Sequence, residues 1–374
     1  MFMVLQEKLS AMVRRVRERV CRPIPARRFV ISFLVTFGVF FLLWALLVFV
    51  IDPYIYYHRG WGLKNVFSNS PARIPGVMRN FDFDTVLFGT SLCQNFRRSE
   101  IDAALHVRSV KATSAGLKSD AMSRYFETAW RYRGHKLTRC VMGIDIFSFA
   151  KKSENSNYLY LYEDRLFPCE YFFSADTAEA IADVLITNIS APYDRISRHQ
   201  LDEDVMFSNK PRFKYDRKTL EKDVHKSAYS PVMPDPARTI ANFDRHLFVH
   251  VRNHPEIRFD LFLPPYNIYL WCLLREQGKL EPYLHLRDVF ARMAAEYPNV
   301  RIYDFQAEFD IVCSLDVYKD VTHYSPKINT RIIQDIGSAR HIFPLAEFRR
   351  RTALIRSRSA EFQPAFDELR RKKP

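Results

Sequence analysis

A serine closes the stretch Thr85-Val86-Leu87-Phe88-Gly89-Thr90-Ser91, and far along the chain a histidine stands three residues after an aspartate in Asp320-Val321-Thr322-His323. An alcohol, an imidazole and a carboxylate are the groups that together make a hydroxyl nucleophilic at neutral pH. The imidazole takes the proton and the carboxylate holds the imidazole in the right tautomer. In a tight turn, the Asp-x-x-His spacing lets the carboxylate reach one ring nitrogen while the other faces outward. Each piece also has a plainer reading. Gly-x-Ser after a strand caps the next helix, and Asp-x-x-His caps a helix beside a surface histidine. What favours the chemical reading is that the two pieces sit at opposite ends of one strand–helix pattern.

Five short apolar or β-branched runs punctuate the chain, at 85–88, 107–111, 140–144, 259–263 and 300–303. Segments of helical periodicity lie between them, at 99–105, 121–132, 240–251, 283–297 and 328–336. Near-continuous apolar strands alternating with helices predict an α/β domain with a parallel sheet covered on both faces. Ser91 then falls at the C-terminal end of the first strand, where open α/β sheets bind ligands. Gly89 permits a sharp turn beneath it, and the following helix N-terminus suits an oxyanion. The long interval between the third and fourth strands, about 150–235, is aromatic-rich and then mixed polar, and reads as an insertion over one end of the sheet. Pro264-Pro265-Tyr266-Asn267 follows the fourth strand at the same edge, which makes Tyr266 and Asn267 candidates for lining a pocket. His135, His225, His246, His250 and His254 show no partner pattern and read as surface or core residues. The triplet Asn188-Ile189-Ser190 matches a glycosylation sequon, a pattern that often arises by chance.

Gly89-x-Ser91 after strand one, Gly116 after strand two, and Asp320-x-x-His323 near the C-terminus resemble the blocks of the SGNH (GDSL-like) hydrolase superfamily. The phrase Tyr318-Lys319-Asp320-x-x-His323-Tyr324-Ser325, with a single N-terminal apolar segment, is closer to its membrane-tethered branch. That branch includes relatives of the D-alanyl-lipoteichoic acid biosynthesis protein and the alginate O-acetyltransferases. The resemblance covers about residues 80–340. It implies a flavodoxin-like three-layer α/β/α domain of about five parallel strands. It also implies Ser91 as nucleophile, His323 as general base and Asp320 as its orienting carboxylate, with the N–H groups of Ser91 and Gly116 forming an oxyanion hole. One position departs from the pattern. Where the superfamily offers an asparagine side chain to the oxyanion, this chain has Asp145, and an ionised carboxylate aimed at developing negative charge would raise the barrier. Asp145 therefore caps a turn or binds substrate hydroxyls, or else the hole has main-chain donors only.

From residue 29 to residue 51 there are 23 consecutive positions without a charge. A helix of that length is about 34 Å long, enough to cross a hydrocarbon core of about 30 Å. A cleaved signal peptide would have a shorter apolar run and a small-residue exit. Here the exit is Asp52-Pro53-Tyr54-Ile55-Tyr56-Tyr57-His58, whose tyrosines suit a membrane interface. The expectation is an uncleaved single-pass anchor at 29–51. Seven arginines precede the segment (Arg14, Arg15, Arg17, Arg19, Arg22, Arg27 and Arg28). They predict a cytoplasmic N-terminus and export of the rest, outside the plasma (inner) membrane. Leu5, Leu9, Met12, Val13, Val16 and Val20 are spaced for an amphipathic helix on the inner leaflet, although a solvated basic segment would serve topology equally well.

The net charge of +14 looks like a nucleic-acid signal, but residues 1–28 and 349–374 each carry +6, leaving +2 for everything between. A nucleic-acid-binding face on the body is therefore not expected. The expected organisation is a basic segment 1–28, the anchor 29–51, a connector 52–79, the α/β domain 80–345 and a basic C-terminal tail 346–374. Cys93, Cys140, Cys169, Cys272 and Cys313 follow the anchor in an odd number without metal-like spacing, so neither a disulfide framework nor zinc is supported. No cofactor fingerprint occurs. The resulting expectation is a serine-dependent O-acyltransferase or esterase acting on a cell-envelope glycan or polymer, working from the membrane. By resemblance, a multispanning membrane acyltransferase would be its partner. The rival expectation is a non-catalytic envelope protein that uses the same fold to bind glycan.

Overall fold

The computed structural model describes residues 25–59, 71–150, 158–163, 165–190, 214–226 and 235–372, with the single positions 12, 14 and 63. The amphipathic segment expected within 1–28 lies almost wholly outside them. Two compact units emerge, Met1–Val50 and Ile51–Pro374. In the first, the helix Ala26–Ile51 is long and apolar enough to cross a membrane. Most of its large side chains, Phe29, Phe33, Leu34, Phe40 and Leu42 among them, are exposed.

The second unit is built on a five-stranded parallel sheet of order β2-β1-β3-β4-β5. Its strands are β1 (Thr85–Gly89), β2 (Ser109–Thr113), β3 (Arg139–Gly143), β4 (Arg258–Leu263) and β5 (Val300–Asp304). All five residues of β1 are buried, as a strand covered on both faces requires. Because β2 and β3 flank β1 on opposite sides, right-handed crossovers put the helix Arg98–Leu105 on one face and Ser119–Arg133 on the other. The chain thus reverses direction across the sheet between β1 and β3, which creates the crevice where such sheets bind ligands. Strand β2 begins two residues later than the apolar run suggests. His106 takes a left-handed C-cap (φ 54°) and Asp102 Oδ1 accepts the Ser109 N–H at 2.7 Å, so 106–108 turns instead of extending.

Two corrections concern segments flanking this sheet. The tyrosines after the apolar helix are not an exposed interfacial belt, for Tyr54 and Tyr56 are buried. Asp52, fully buried, accepts the N–H groups of Tyr56 (2.9 Å), Tyr57 (2.7 Å) and His58 (2.9 Å), and the Tyr171 hydroxyl at 2.6 Å. Burial pushes its carboxyl up, against the downward pull of those donors. The C-terminal basic segment, in turn, is the helix Leu345–Arg371. It buries Phe348, Thr352, Ile355, Ser359 and Phe366, and with the half-buried Phe362 this seam repeats alternately every four and three residues, as in a coiled coil. Thr352 Oγ1 there accepts from Arg287 Nε at 2.9 Å. The fully buried Arg287 grips Asp304 through two bonds of 2.8 and 2.7 Å. Burial would raise the Asp304 carboxyl, but Arg287 and Arg351 hold it below its usual range.

Candidate active site

The strand end at β1 and the turn that follows it are shaped by a single sulfur atom. Ser91–Cys93 forms a short 3-10 turn that points the buried Cys93 side chain back under the sheet rim. A Cβ at either Gly89 or Gly143 would collide with Cys93 Sγ, so the ends of β1 and β3 close over it only because both are glycine. Burial pushes the Cys93 thiol well above its usual range, which leaves it a neutral packing group. Ser91 is lifted by this turn to the C-terminal rim at the β1–β3 crevice.

The imidazole arrives on a closed loop. Tyr318 pairs with Tyr324 as an antiparallel bridge, Lys319 N–H donates to the His323 carbonyl at 3.0 Å, and Ser325 N–H donates to the Val317 carbonyl at 2.8 Å. Inside the loop, Asp320 Oδ1 accepts the N–H groups of Thr322 (2.9 Å) and His323 (2.7 Å), so Asp-x-x-His is an Asx-type turn. The same carboxylate lies 2.8 and 2.9 Å from His323 Nδ1. Lys319 Nζ is 2.9 Å from its Oδ2. Burial alone would raise the Asp320 carboxyl, but His323 and Lys319 hold it far below the carboxylate range. An ionised carboxylate only accepts, so His323 Nδ1 carries the proton and donates. That leaves the Nε2 lone pair for Ser91, whose Oγ stands 2.8 Å away.

Two side chains weld the loop to the serine turn. Tyr324 Oη and Asn329 Nδ2 both donate to the Leu92 carbonyl, at 3.2 and 3.1 Å. The two pieces, 232 residues apart in sequence, thereby meet at one rim of the sheet. Gly116 follows β2 on that rim. Thr113 pairs with Gly89, Ser114 N–H donates to the Gly89 carbonyl at 3.2 Å, and Gly116 takes φ 64° in the next turn. Within the described chain, neither the Ser91 N–H nor the Gly116 N–H donates to another backbone carbonyl.

The remaining expected residues have other duties. Asp145 begins the helix Ile146–Ala150, accepting the Phe147 N–H at 3.1 Å and the Tyr266 hydroxyl at 2.8 Å. It therefore caps a turn at the end of β3. Tyr266 is buried against Phe147, Trp271 and Tyr283, so it positions Asp145 instead of lining a pocket. Asn267 is wholly buried as the N-cap of Ile268–Glu276, accepting the Tyr269 N–H at 3.0 Å. Its own N–H donates to the Val321 carbonyl at 3.0 Å, which braces the histidine loop from below. Pocket lining by Tyr266 and Asn267 is thus corrected to support of the loops that do form the rim.

Several residues near the rim carried no local sequence signal. Tyr215 Oη is 3.5 Å from the amide of Asn95, four positions past Ser91. Asp223, on the helix Arg217–Lys226, has its carboxyl pushed up by burial and by the charge of Asp320. Both come from the aromatic and polar interval between β3 and β4, whose spacing says nothing of where it lands. Among the described residues no cluster of His, Cys, Asp or Glu could hold a metal ion.

No family model matches the chain, and no curated protein matches it. A solved structure described as "a putative platelet activating factor from Streptococcus pneumonia" is similar over 72% of this chain and 89% of its own, with 10% identity and a TM-score of 0.37. A likeness so slight carries no weight for fold or function.

Proposed function

We propose that the chain is a membrane-anchored serine acyltransferase or esterase of the SGNH type, acting outside the plasma membrane on a cell-envelope glycan or polymer. One observation carries the reading: Ser91 Oγ lies 2.8 Å from His323 Nε2, while His323 Nδ1 is held at 2.8 Å by Asp320. That is the reach general-base catalysis needs. The strand order β2-β1-β3-β4-β5 is that of flavodoxin-like domains, and Ser91 stands at their ligand-binding crevice.

In this reading Ser91 Oγ attacks the carbonyl carbon of an acyl donor as His323 Nε2 takes its proton. The oxyanion is met by the N–H groups of Ser91 and Gly116. The tetrahedral adduct collapses when the imidazolium returns that proton to the leaving oxygen, which leaves acyl-Ser91. A sugar hydroxyl or water then gives its proton to His323 as it attacks the acyl carbon. The second adduct collapses with the imidazolium returning that proton to Ser91 Oγ, which frees the acylated product and restores both groups. With Asp145 committed to a helix cap and to Tyr266, the hole depends on main-chain donors. The helix Ala26–Ile51 supplies the anchor, the basic residues before it the orientation, and a multispanning acyltransferase the acyl group.

The test is labelling of the full chain in detergent with a fluorophosphonate. Labelling lost in both Ser91→Ala and His323→Ala is expected. Labelling that survives in Ser91→Ala, or none in the unmodified chain, defeats the proposal.

A further inference from the structure

The helix Ala175–Ser190 has two apolar faces, one buried and one exposed among the described residues. Thr177, Ile181 and Val184 point inward and are buried. About 120° round the helix, Leu185, Ile186 and Ile189 form a second stripe, with Ile186 62% and Ile189 84% exposed among the described residues. The acidic residues Asp176, Glu179 and Asp183 occupy a third sector and are exposed. Just before this helix, Leu166 is 85% exposed, and Phe167 and Phe173 are also on the surface. Phe167 stacks on Phe172 at 4.1 Å, and Phe172 meets the Tyr57 ring at 6.1 Å.

These exposed groups are bound to the residues that follow the membrane helix. Tyr56 Oη donates to the Arg165 carbonyl at 2.7 Å and Tyr57 Oη to the Leu166 carbonyl at 3.1 Å. Tyr54 and Tyr171 pack at 5.5 Å, and Tyr171 donates to Asp52. From Ile51, where the membrane helix ends, to Tyr57 the chain spans at most about 20 Å even if fully extended. It is not extended, since Asp52 folds 52–58 into a knot by accepting three of its N–H groups. Leu166 and Phe167 therefore lie beside the residues that immediately follow Ile51.

We propose that Leu166, Phe167, Phe173 and the Leu185–Ile186–Ile189 stripe form a second membrane contact, an apolar surface that sits in the outer interface of the bilayer crossed by the anchor. This rests on the anchor reading given above. The occupant is lipid, because the patch is continuous with the collar at the end of the membrane helix. The helix carries acidic but no basic side chains, so the contact is made by apolar insertion and not by attraction to anionic headgroups.

The experiment uses the full chain reconstituted in phosphatidylcholine–phosphatidylethanolamine vesicles, with Cys169→Ser removing an exposed thiol. Single cysteines replace Phe167, Ile186, Ile189 or, as the control, Asp183, and carry an environment-sensitive dye. Expected is several-fold stronger quenching of the first three labels by lipid-borne nitroxide than of the Asp183→Cys label. Added salt or phosphatidylglycerol should leave that difference unchanged. Overturning results are labels at all four positions equally open to aqueous iodide, or labels at 167, 186 and 189 shielded from both quenchers, which means protein covers the stripe. Alkaline carbonate extraction separates the two ideas. A chain retained in the membrane without lipid quenching defeats this contact alone, whereas a chain released defeats the anchor and the contact together.

Discussion

Among the described residues, two serine–histidine pairs have nearly the same length. Ser91 Oγ is 2.8 Å from His323 Nε2, and Ser123 Oγ is 2.7 Å from His250 Nε2. Distance does not distinguish them, but their surroundings do. His323 has a carboxylate on its other nitrogen, stands on a braced loop and meets a half-buried serine at the strand-end crevice. No carboxylate hydrogen-bonds to His250 among the described residues, and its ring packs 4.5 Å from Phe126 on the helical face. Burial, with the nearby His254 and His246, lowers His250 to about 4, so it is neutral at physiological pH and nothing would stabilise the imidazolium that catalysis must form. A Ser–His contact becomes chemistry only where the proton has somewhere to go and the substrate has room.

The largest separation between the pairs is expected from deleting the hydroxyls. Ser91→Ala should reduce turnover of an activated ester by roughly 10⁵–10⁶-fold, while Ser123→Ala leaves it unchanged and costs about 1 kcal/mol of stability. Equal activity of the two variants would break the comparison. Asp320→Asn tests what the carboxylate adds to the first pair. A loss of about 10⁴-fold with fluorophosphonate labelling slowed but not abolished is expected, because the imidazole loses the partner that sets its tautomer.

The next effect concerns the second pair and pH. The folded state disfavours protonated His250, so the unfolded state binds more protons, and stability falls as pH drops from about 6.5 towards about 4. Thermal unfolding in that window should show a shallower fall in His250→Gln than in the unmodified chain. An identical slope would show that His250 is freely hydrated. The smallest effect is expected at the weld between the two halves of the site. Tyr324→Phe removes one of two donors to the Leu92 carbonyl and keeps the ring. It should cost about 1 kcal/mol or less and lower turnover no more than about tenfold. Asn329→Ala in the same background should exceed the sum of the single losses, since it leaves that buried carbonyl without either donor.

The sheet was legible because parallel strands covered on both faces must be apolar throughout, and each of the five runs became a strand within about two residues. The C-terminal helix was hidden by composition. Its seam contains Thr352 and Ser359, so arginine dominates any reading of that segment until the four-and-three spacing through Phe348, Thr352, Ile355, Ser359, Phe362 and Phe366 is followed. At the site, Asp320 and His323 were legible because their contact is local to one turn. Tyr266 and Asn267 misled because proximity to the sheet edge does not say which way a side chain points. His250 is a core histidine, one of the two places its sequence context allows, but its serine partner lies 127 residues away and no motif links them.

Sequence alone determined the apolar helix, the alternation that makes a parallel sheet, and the turn that joins Asp320 to His323. These are set by interactions within a few residues and by solvent exclusion from apolar runs. Tertiary structure alone decided that Ser91 meets His323 rather than another base, that Asp145 is consumed by a cap and by Tyr266, and that Ile186 and Ile189 of Ala175–Ser190 are exposed among the described residues. Those outcomes depend on which distant surfaces pack together, and the shape of a packed core is a property of all its side chains at once.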